Sequence, residues 1–383
     1  MSKKVTFNSN LIYFIVVALF VVVRICSNYG LFDFLGGYGR IILGILTQVG
    51  LIFLLPLVLF KKLNKSSVKE TASFFSFRKV STKTVFVSIA LGVVVFLINI
   101  YVSNFFNGAI QLFGYKPVER AGSVSTEWWG LLLNLFVTAL LPAVCEESLH
   151  RGMLLKGNSS FGMKKSILIS GLLFGLLHLN IEQFFYASII GFFLGYLCWV
   201  CNSIVPCMII HFVNNAISVF LSFASAKGWT IGNIFNEISK YLVSSQFLGL
   251  VMFILILCLL VMLAIEMTKF LMKDSFNYNF DKRQKELANL ALRESYFKQI
   301  DDIKNDTETT DFVVGQNQFS FTIDLNQFLR YVNEKLEKKD SCKPEKQEVK
   351  IKNVDLKIKI LLWGSFALSA IITFLTFIWG LFR

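Results

Sequence analysis

Charged residues are scarce in this chain of 383 residues: they make up 16% of it, whereas an average soluble domain carries about 25%. Proline and glycine are also few, with 5 and 24 residues, which excludes collagen-like and low-complexity chains. Hydrophobic residues fill 55% of the sequence, and phenylalanine alone occurs 40 times. This composition excludes a soluble globular protein and a disordered chain, and it predicts a polytopic membrane protein.

The sequence also lacks a disulfide framework and a removable leader. Most of the 7 cysteines lie inside apolar runs, where a thiol behaves as a small hydrophobic group. Cys198 and Cys201 form a CxxC pair, but there is no second pair to complete a zinc site. The first apolar run, Leu11 to Val23, has no small-residue cleavage site, so it predicts a retained membrane span.

The net charge of +13 is concentrated in a few loops. In a soluble protein it would suggest a nucleic-acid partner, but in a membrane protein lysine-rich loops mark the cytoplasmic side. We therefore expect no nucleic-acid partner, a cytoplasmic N-terminus and an outside C-terminus at Arg383. The frequent use of Lys, Asn, Ile and Phe favours a bacterial source with an AT-rich genome.

Apolar windows of membrane-spanning length recur along the chain and predict an all-α polytopic membrane protein with about nine transmembrane helices. The windows are 10–28, 41–60, 84–106, 128–153, 165–185, 184–200, 203–222, 246–267 and 357–381. The polar stretch before the last window, 268–356, contains helix-like and strand-like patterns, which predict a small cytosolic α+β insert. The predicted division is 1–84, two N-terminal helices and a basic loop; 85–225, the core; 226–267, the eighth helix; 268–356, the insert; and 357–383, the last helix.

The fourth window contains charges that a membrane helix normally excludes. Each charged side chain at mid-helix costs about 2.5–3.5 kcal/mol, so Glu146, Glu147 and Arg151 need a reason to be there. Glu147 and Arg151 are four residues apart, which predicts an internal ion pair. Glu146 projects about 100° away and has no such local partner. An alternative is that the span ends near Glu146 and both acids lie at a wet interface.

Two histidines lie inside other apolar windows, at His178 and His211, and Asn215 follows one helical turn after His211. At 1.5 Å per residue, Glu146, His178 and His211 lie about 15, 20 and 12 Å from the basic ends of their helices. We therefore expect these polar groups to meet in one cavity. A carboxylate could activate water there while imidazole and amide groups stabilise an oxyanion. The same Glu, His and His could instead bind a divalent metal such as zinc.

These residues carry a family resemblance. Glu146-Glu147-x-x-x-Arg151, Phe174-x-x-x-His178 and His211-x-x-x-Asn215 resemble the three motifs of the CPBP intramembrane proteases, which include CAAX prenyl proteases and the bacterial Abi proteins linked to bacteriocin processing. The resemblance covers residues 85–225. It implies that Glu146 and His178 activate water, that His211 and Asn215 stabilise the oxyanion, and that Glu147 and Arg151 support them.

The resemblance implies an intramembrane endopeptidase that acts on a membrane-associated peptide or protein, in peptide maturation, bacteriocin self-immunity or the regulation of a partner membrane protein. One rival hypothesis is a non-catalytic membrane scaffold with the same fold. Another is a proton-coupled transporter, in which Glu and His relay protons. The sequence shows no internal repeat of the kind that is common in transporters, which disfavours this last hypothesis.

Overall fold

A computed structural model describes residues 2–117, 126–232, 251–278 and 355–382, and every regular element in these ranges is helical. We number the principal helices in chain order. They are α1 (Lys3–Asn28), α2 (Ile41–Asn64), α3 (Val68–Phe74), α4 (Thr82–Leu112), α5 (Trp128–Leu155), α6 (Met163–Leu177), α7 (Ile181–Cys201), α8 (Val205–Ala226), α9 (Val251–Tyr278) and α10 (Leu356–Leu381).

Of the described helices, 8 are long and apolar enough to cross a membrane, and only α3 and α6 fall short. This confirms the predicted all-α polytopic membrane fold. The fifth predicted window, 165–185, is the 15-residue helix α6. It ends because Leu179 adopts a left-handed conformation with a φ of 49°, and the side chain of Asn180 then caps α7. The predicted boundary near 184 was too late, since hydropathy does not register a short turn between two apolar helices.

Helix α9 continues through residue 278 and so includes the first residues of the predicted insert. Asp274 accepts hydrogen bonds from the hydroxyls of Ser81 and Thr84 at the start of α4, so the charges after residue 268 mark the end of the apolar run and not the end of the helix. The rest of the predicted insert up to residue 354 lies outside the described residues, and its α+β character stays a prediction.

The lysine-rich ends of α1, α2 and α5 are joined by polar side chains. Asn8 donates to Asn64 at the end of α2 over 2.9 Å. Asn10 donates to Asn158, just beyond α5, over 2.8 Å. The first helix is therefore fixed by hydrogen bonds to two later parts of the chain, and these buried amides explain why its start is less apolar than its middle.

The central helix is α5, in which every residue from Glu147 to Leu155 is buried. On one side it packs with α1, α2 and α6 in one hydrophobic cluster, and on the other with α4, α7, α8 and α9 in a second. The described helices contain three π-helical segments: Leu46–Leu54 in α2, and Leu135–Leu140 and Ser148–Leu155 in α5. Such segments are rare and frequently occur at functional sites, and the two in α5 flank the acidic pair.

Helices α6 and α7 approach each other through small residues. A Cβ atom added to Gly191 would lie 2.8 Å from the carbonyl oxygen of Gly171, so neither position has room for a side chain. Close backbone approach through small residues is a common way to pack membrane helices. It places the backbone of α7 within reach of the charged side chains of α5.

Candidate active site

Glu147 is the anchor of a buried charge cluster. Arg151 Nη1 donates to Glu147 Oε1 over 2.7 Å, and both side chains are 0% exposed, so the ion pair predicted from the spacing of four residues is present. The Nδ1 atom of His211 lies 2.9 Å from the same carboxylate oxygen. Glu147 thus links α5 to α8, and it also neutralises the charge of Arg151 on its own helix.

Arg151 is held by two further groups. Its Nη2 donates to the carbonyl oxygen of Gly191 on α7 over 3.2 Å. Its guanidinium carbon lies 4.3 Å from the ring centroid of Phe174 on α6, a cation–π distance. A buried ion pair is costly unless further polar contacts compensate it. Here the compensation comes from three other helices, because His211 supplies the third.

The Phe174 ring is the meeting point of the three histidines. Its centroid lies 5.1 Å from that of His150, 5.3 Å from that of His178 and 5.7 Å from that of His211, and each pair is edge-on. The structure therefore brings together α5, α6 and α8, the three helices whose polar residues were expected to meet.

The imidazoles of His178 and His211 are fixed through Nδ1. His178 Nδ1 lies 3.0 Å from the carbonyl oxygen of Phe174, and a carbonyl oxygen can only accept, so this nitrogen carries a proton. The carboxylate of Glu147 binds the corresponding nitrogen of His211. In both rings Nε2 is therefore the nitrogen left for a substrate or a water molecule.

Glu146 lies in different surroundings from its neighbour. Its side chain is half-buried, and its Oε1 accepts a hydrogen bond from Gln48 Nε2 on α2 over 2.9 Å. Sequence reasoning missed Gln48. A signal was available, because a glutamine inside an apolar span needs a partner, and Gln48 lies inside the second window.

His150, the third histidine, received no role from the sequence. It is fully buried behind Glu146, with Nδ1 donating to the backbone carbonyl oxygen of Glu146 over 2.9 Å. The hydroxyl of Tyr13 on α1 lies 3.2 Å from its Nε2 and donates to the carbonyl oxygen of Leu173 over 3.1 Å. His150 and Tyr13 therefore brace the backbone that carries the acidic pair.

Asn215 lies one turn after His211 on α8. Its Nδ2 donates to the carbonyl oxygen of Thr138 over 3.2 Å, in the first π-helical segment of α5. Its Oδ1 accepts from Asn214 over 3.0 Å. Asn215 thus has one amide hydrogen engaged in holding α8 to α5 and a second that remains for another acceptor. Its predicted role at an oxyanion stays a prediction.

Metal binding by Glu146, His178 and His211 also stays a prediction. Within the described ranges, no group of three or more His, Cys, Asp or Glu side chains is arranged so that it could hold a metal ion. The Nδ1 atoms of both histidines bind a carbonyl and a carboxylate, which would leave Nε2 of each ring as the nitrogen for a metal. The reaction proposed below is derived from the side chains alone.

A cavity of about 420 Å³ lies elsewhere in the bundle, between α4, α7 and α9. Apolar side chains such as Val95, Phe193 and Ile265 line most of it. None of the residues described above is among them, so this cavity is separate from the candidate active site.

The polar residues that meet around Phe174 fall in one stretch of the chain that has known relatives. Residues 128–217 match the family model described as Type II CAAX prenyl endopeptidase Rce1-like, which spans α5 to most of α8 and contains all three motifs. The comparisons with curated proteins and with solved structures give no match. The match of residues 128–217 to an Rce1-like type II CAAX prenyl endopeptidase domain agrees with the CPBP resemblance of the motifs.

Proposed function

We propose that this protein is an intramembrane endopeptidase that hydrolyses a peptide bond of a membrane-associated protein or peptide. The Rce1-like domain supports a protease in general. The observation that carries the finer proposal is the contrast within the acidic pair. Glu147 is buried and bound by Arg151 and His211, whereas Glu146 is half-buried and has one donor. Glu146 therefore has carboxylate lone pairs left to hold and deprotonate water.

In the proposed reaction, Glu146 takes a proton from water while the water oxygen bonds to the substrate carbonyl carbon. Nε2 of His178 would orient that water. The negative charge moves to the carbonyl oxygen, where protonated His211 and the second amide hydrogen of Asn215 would stabilise it. Glu147 holds the other side of that imidazole through Nδ1. The C–N bond then breaks, and the leaving nitrogen receives the proton that Glu146 took.

The test is Glu146→Gln, which keeps size and polarity but removes the base. We expect an unchanged protein level and an unchanged elution profile in detergent. Substrate cleavage should fall by about a hundredfold or more. The measurement compares the membrane peptidomes of cells that carry each variant. Glu266→Gln is the matched control, because Glu266 on α9 is exposed and pairs with Lys269. Equal peptidomes for Glu146→Gln and wild type would instead favour the non-catalytic scaffold.

We further propose a multi-pass protein of a bacterial cell membrane, with the N-terminus and the 268–356 insert cytoplasmic and Arg383 outside. The lysine-rich loops support this orientation. A cysteine introduced beside Arg383 should react with an impermeant thiol reagent on intact cells, and one beside Lys343 should not. The reverse pattern would overturn the orientation. Peptide maturation and bacteriocin self-immunity are the roles that the resemblance suggests for such a protease.

A further inference from the structure

We infer that Gln48 is a positioning residue for Glu146, although it lies on α2, outside the stretch that matches the family model. Its Nε2 donates to Glu146 Oε1 over 2.9 Å, across 98 residues of sequence. The inference depends on the proposed function only for the task of Glu146. The contact itself fixes one oxygen of the carboxylate and leaves Oε2 as the oxygen that can hold water.

The rest of the Gln48 side chain shows that this contact is its main bond. Its Oε1 is buried and has no hydrogen-bond partner. Within the described residues, the hydrogen bond from Nε2 to Glu146 is therefore the one protein contact through which the Gln48 amide acts.

The backbone around Gln48 is unusual at the same place. Gln48 lies in the π-helical segment Leu46–Leu54 of α2, and Glu146 lies between the two π-helical segments of α5. A π-helical turn changes the direction in which the following side chains project, and such turns occur frequently at functional sites. The amide thus comes from within a π-helical segment, and the carboxylate from a short α-helical stretch, Leu141–Glu147, that two such segments flank.

Gln48→Met tests the inference, because methionine matches glutamine in length and lacks the donor. The first readout is infrared and requires no substrate: the Glu146 carboxyl band is isolated by subtracting the spectrum of Glu146→Gln from that of wild type, and the subtraction is repeated in the Gln48→Met background. We expect the band to move. The matched control is Asn99→Leu, which removes an amide from α4 that lies beside the separate cavity; here the band should stay.

The second readout is cleavage in the membrane peptidome, for which we expect a fall of about tenfold with normal protein level, as for one lost hydrogen bond to a charged group. If Gln48→Met elutes as unfolded protein, Gln48→Leu replaces it, since leucine also lacks the amide donor and adds no charge. An unmoved Glu146 band in a folded variant overturns the inference. A moved band together with cleavage that survives Glu146→Gln would uphold Gln48 as a positioning residue and reject the proposed function instead.

Discussion

Glu146 and Glu147 are adjacent on one helix, yet their surroundings differ in nearly every respect. One residue step on a helix turns the side chain by about 100°, so Glu147 is directed at α8 and Glu146 at α2. Glu147 is fully buried between a guanidinium and an imidazole, whereas Glu146 is half-buried with one neutral donor. The number of hydrogen-bond and ion-pair partners, and not burial alone, therefore distinguishes a structural carboxylate from one that is available for chemistry.

Glu147→Gln should have the largest effect, because it leaves Arg151 buried without a counter-charge. We expect the free energy of unfolding to fall by about 3–5 kcal/mol and cleavage to be lost, measured by thermal unfolding in detergent and by the peptidome. Glu146→Gln is the control and should unfold like wild type. Adding Arg151→Met to Glu147→Gln should restore much of the stability but not cleavage. A stable, active Glu147→Gln protein would contradict the role of the ion pair.

Arg151→Lys should have the next largest effect on stability, because it keeps the positive charge but removes the planar guanidinium, which donates from two nitrogens. Lysine cannot bind Glu147 and the Gly191 carbonyl together while lying over the Phe174 ring. We expect a loss of about 1.5–3 kcal/mol of stability, measured by the same thermal unfolding. Arg78→Lys, in the loop before α4, provides the control. Equal stability of Arg151→Lys and wild type would show that charge alone accounts for the cluster.

Tyr13→Phe tests the contacts that hold the backbone at Glu146 and leaves the Glu146 side chain unchanged. It removes the hydroxyl that contacts His150 and the Leu173 carbonyl, and we expect a loss of about 1 kcal/mol in the free energy of unfolding. Tyr29→Phe is the control, because its hydroxyl is at the exposed end of the same helix. If Tyr13→Phe and Tyr29→Phe have the same free energy of unfolding, the hydroxyl of Tyr13 does not contribute to stability.

The smallest expected effect on stability concerns another glutamate, Glu70, which is fully exposed, unlike Glu146 and Glu147. Glu70 forms a capping box at the start of α3, and the backbone N–H of Ser67 holds the pKa of its carboxyl below the ordinary value of 4.5. Because the native pKa is lowered, this stabilisation is present above the unfolded value and is lost as pH falls through the native one. Glu70→Gln should therefore be slightly less stable than wild type at neutral pH, and the two proteins should converge in stability on acidification. Parallel acid-unfolding curves would contradict this.

The sequence was sufficient for features set within one helix. Apolar windows predicted the membrane spans, and the spacing of four residues predicted the ion pair between Glu147 and Arg151. Contacts between helices were not predictable in detail, because hydropathy does not set how far each helix is rotated about its axis. That rotation decides that His211 faces Glu147 and that Gln48 reaches Glu146. The bracing role of His150 was missed for the same reason.

The hydrogen bond between Tyr13 and His150 joins residues 137 positions apart, and this separation has a consequence for biosynthesis. During synthesis α1 is translated and inserted well before α5, so Tyr13 is in the membrane before its partner His150 has been made. Contacts of such high sequence separation form late, since the intervening loop has to close first. The acidic pair therefore gains its support only after the early helices have been inserted and have docked, and the nascent protein has no completed site while its own neighbours are still being translated.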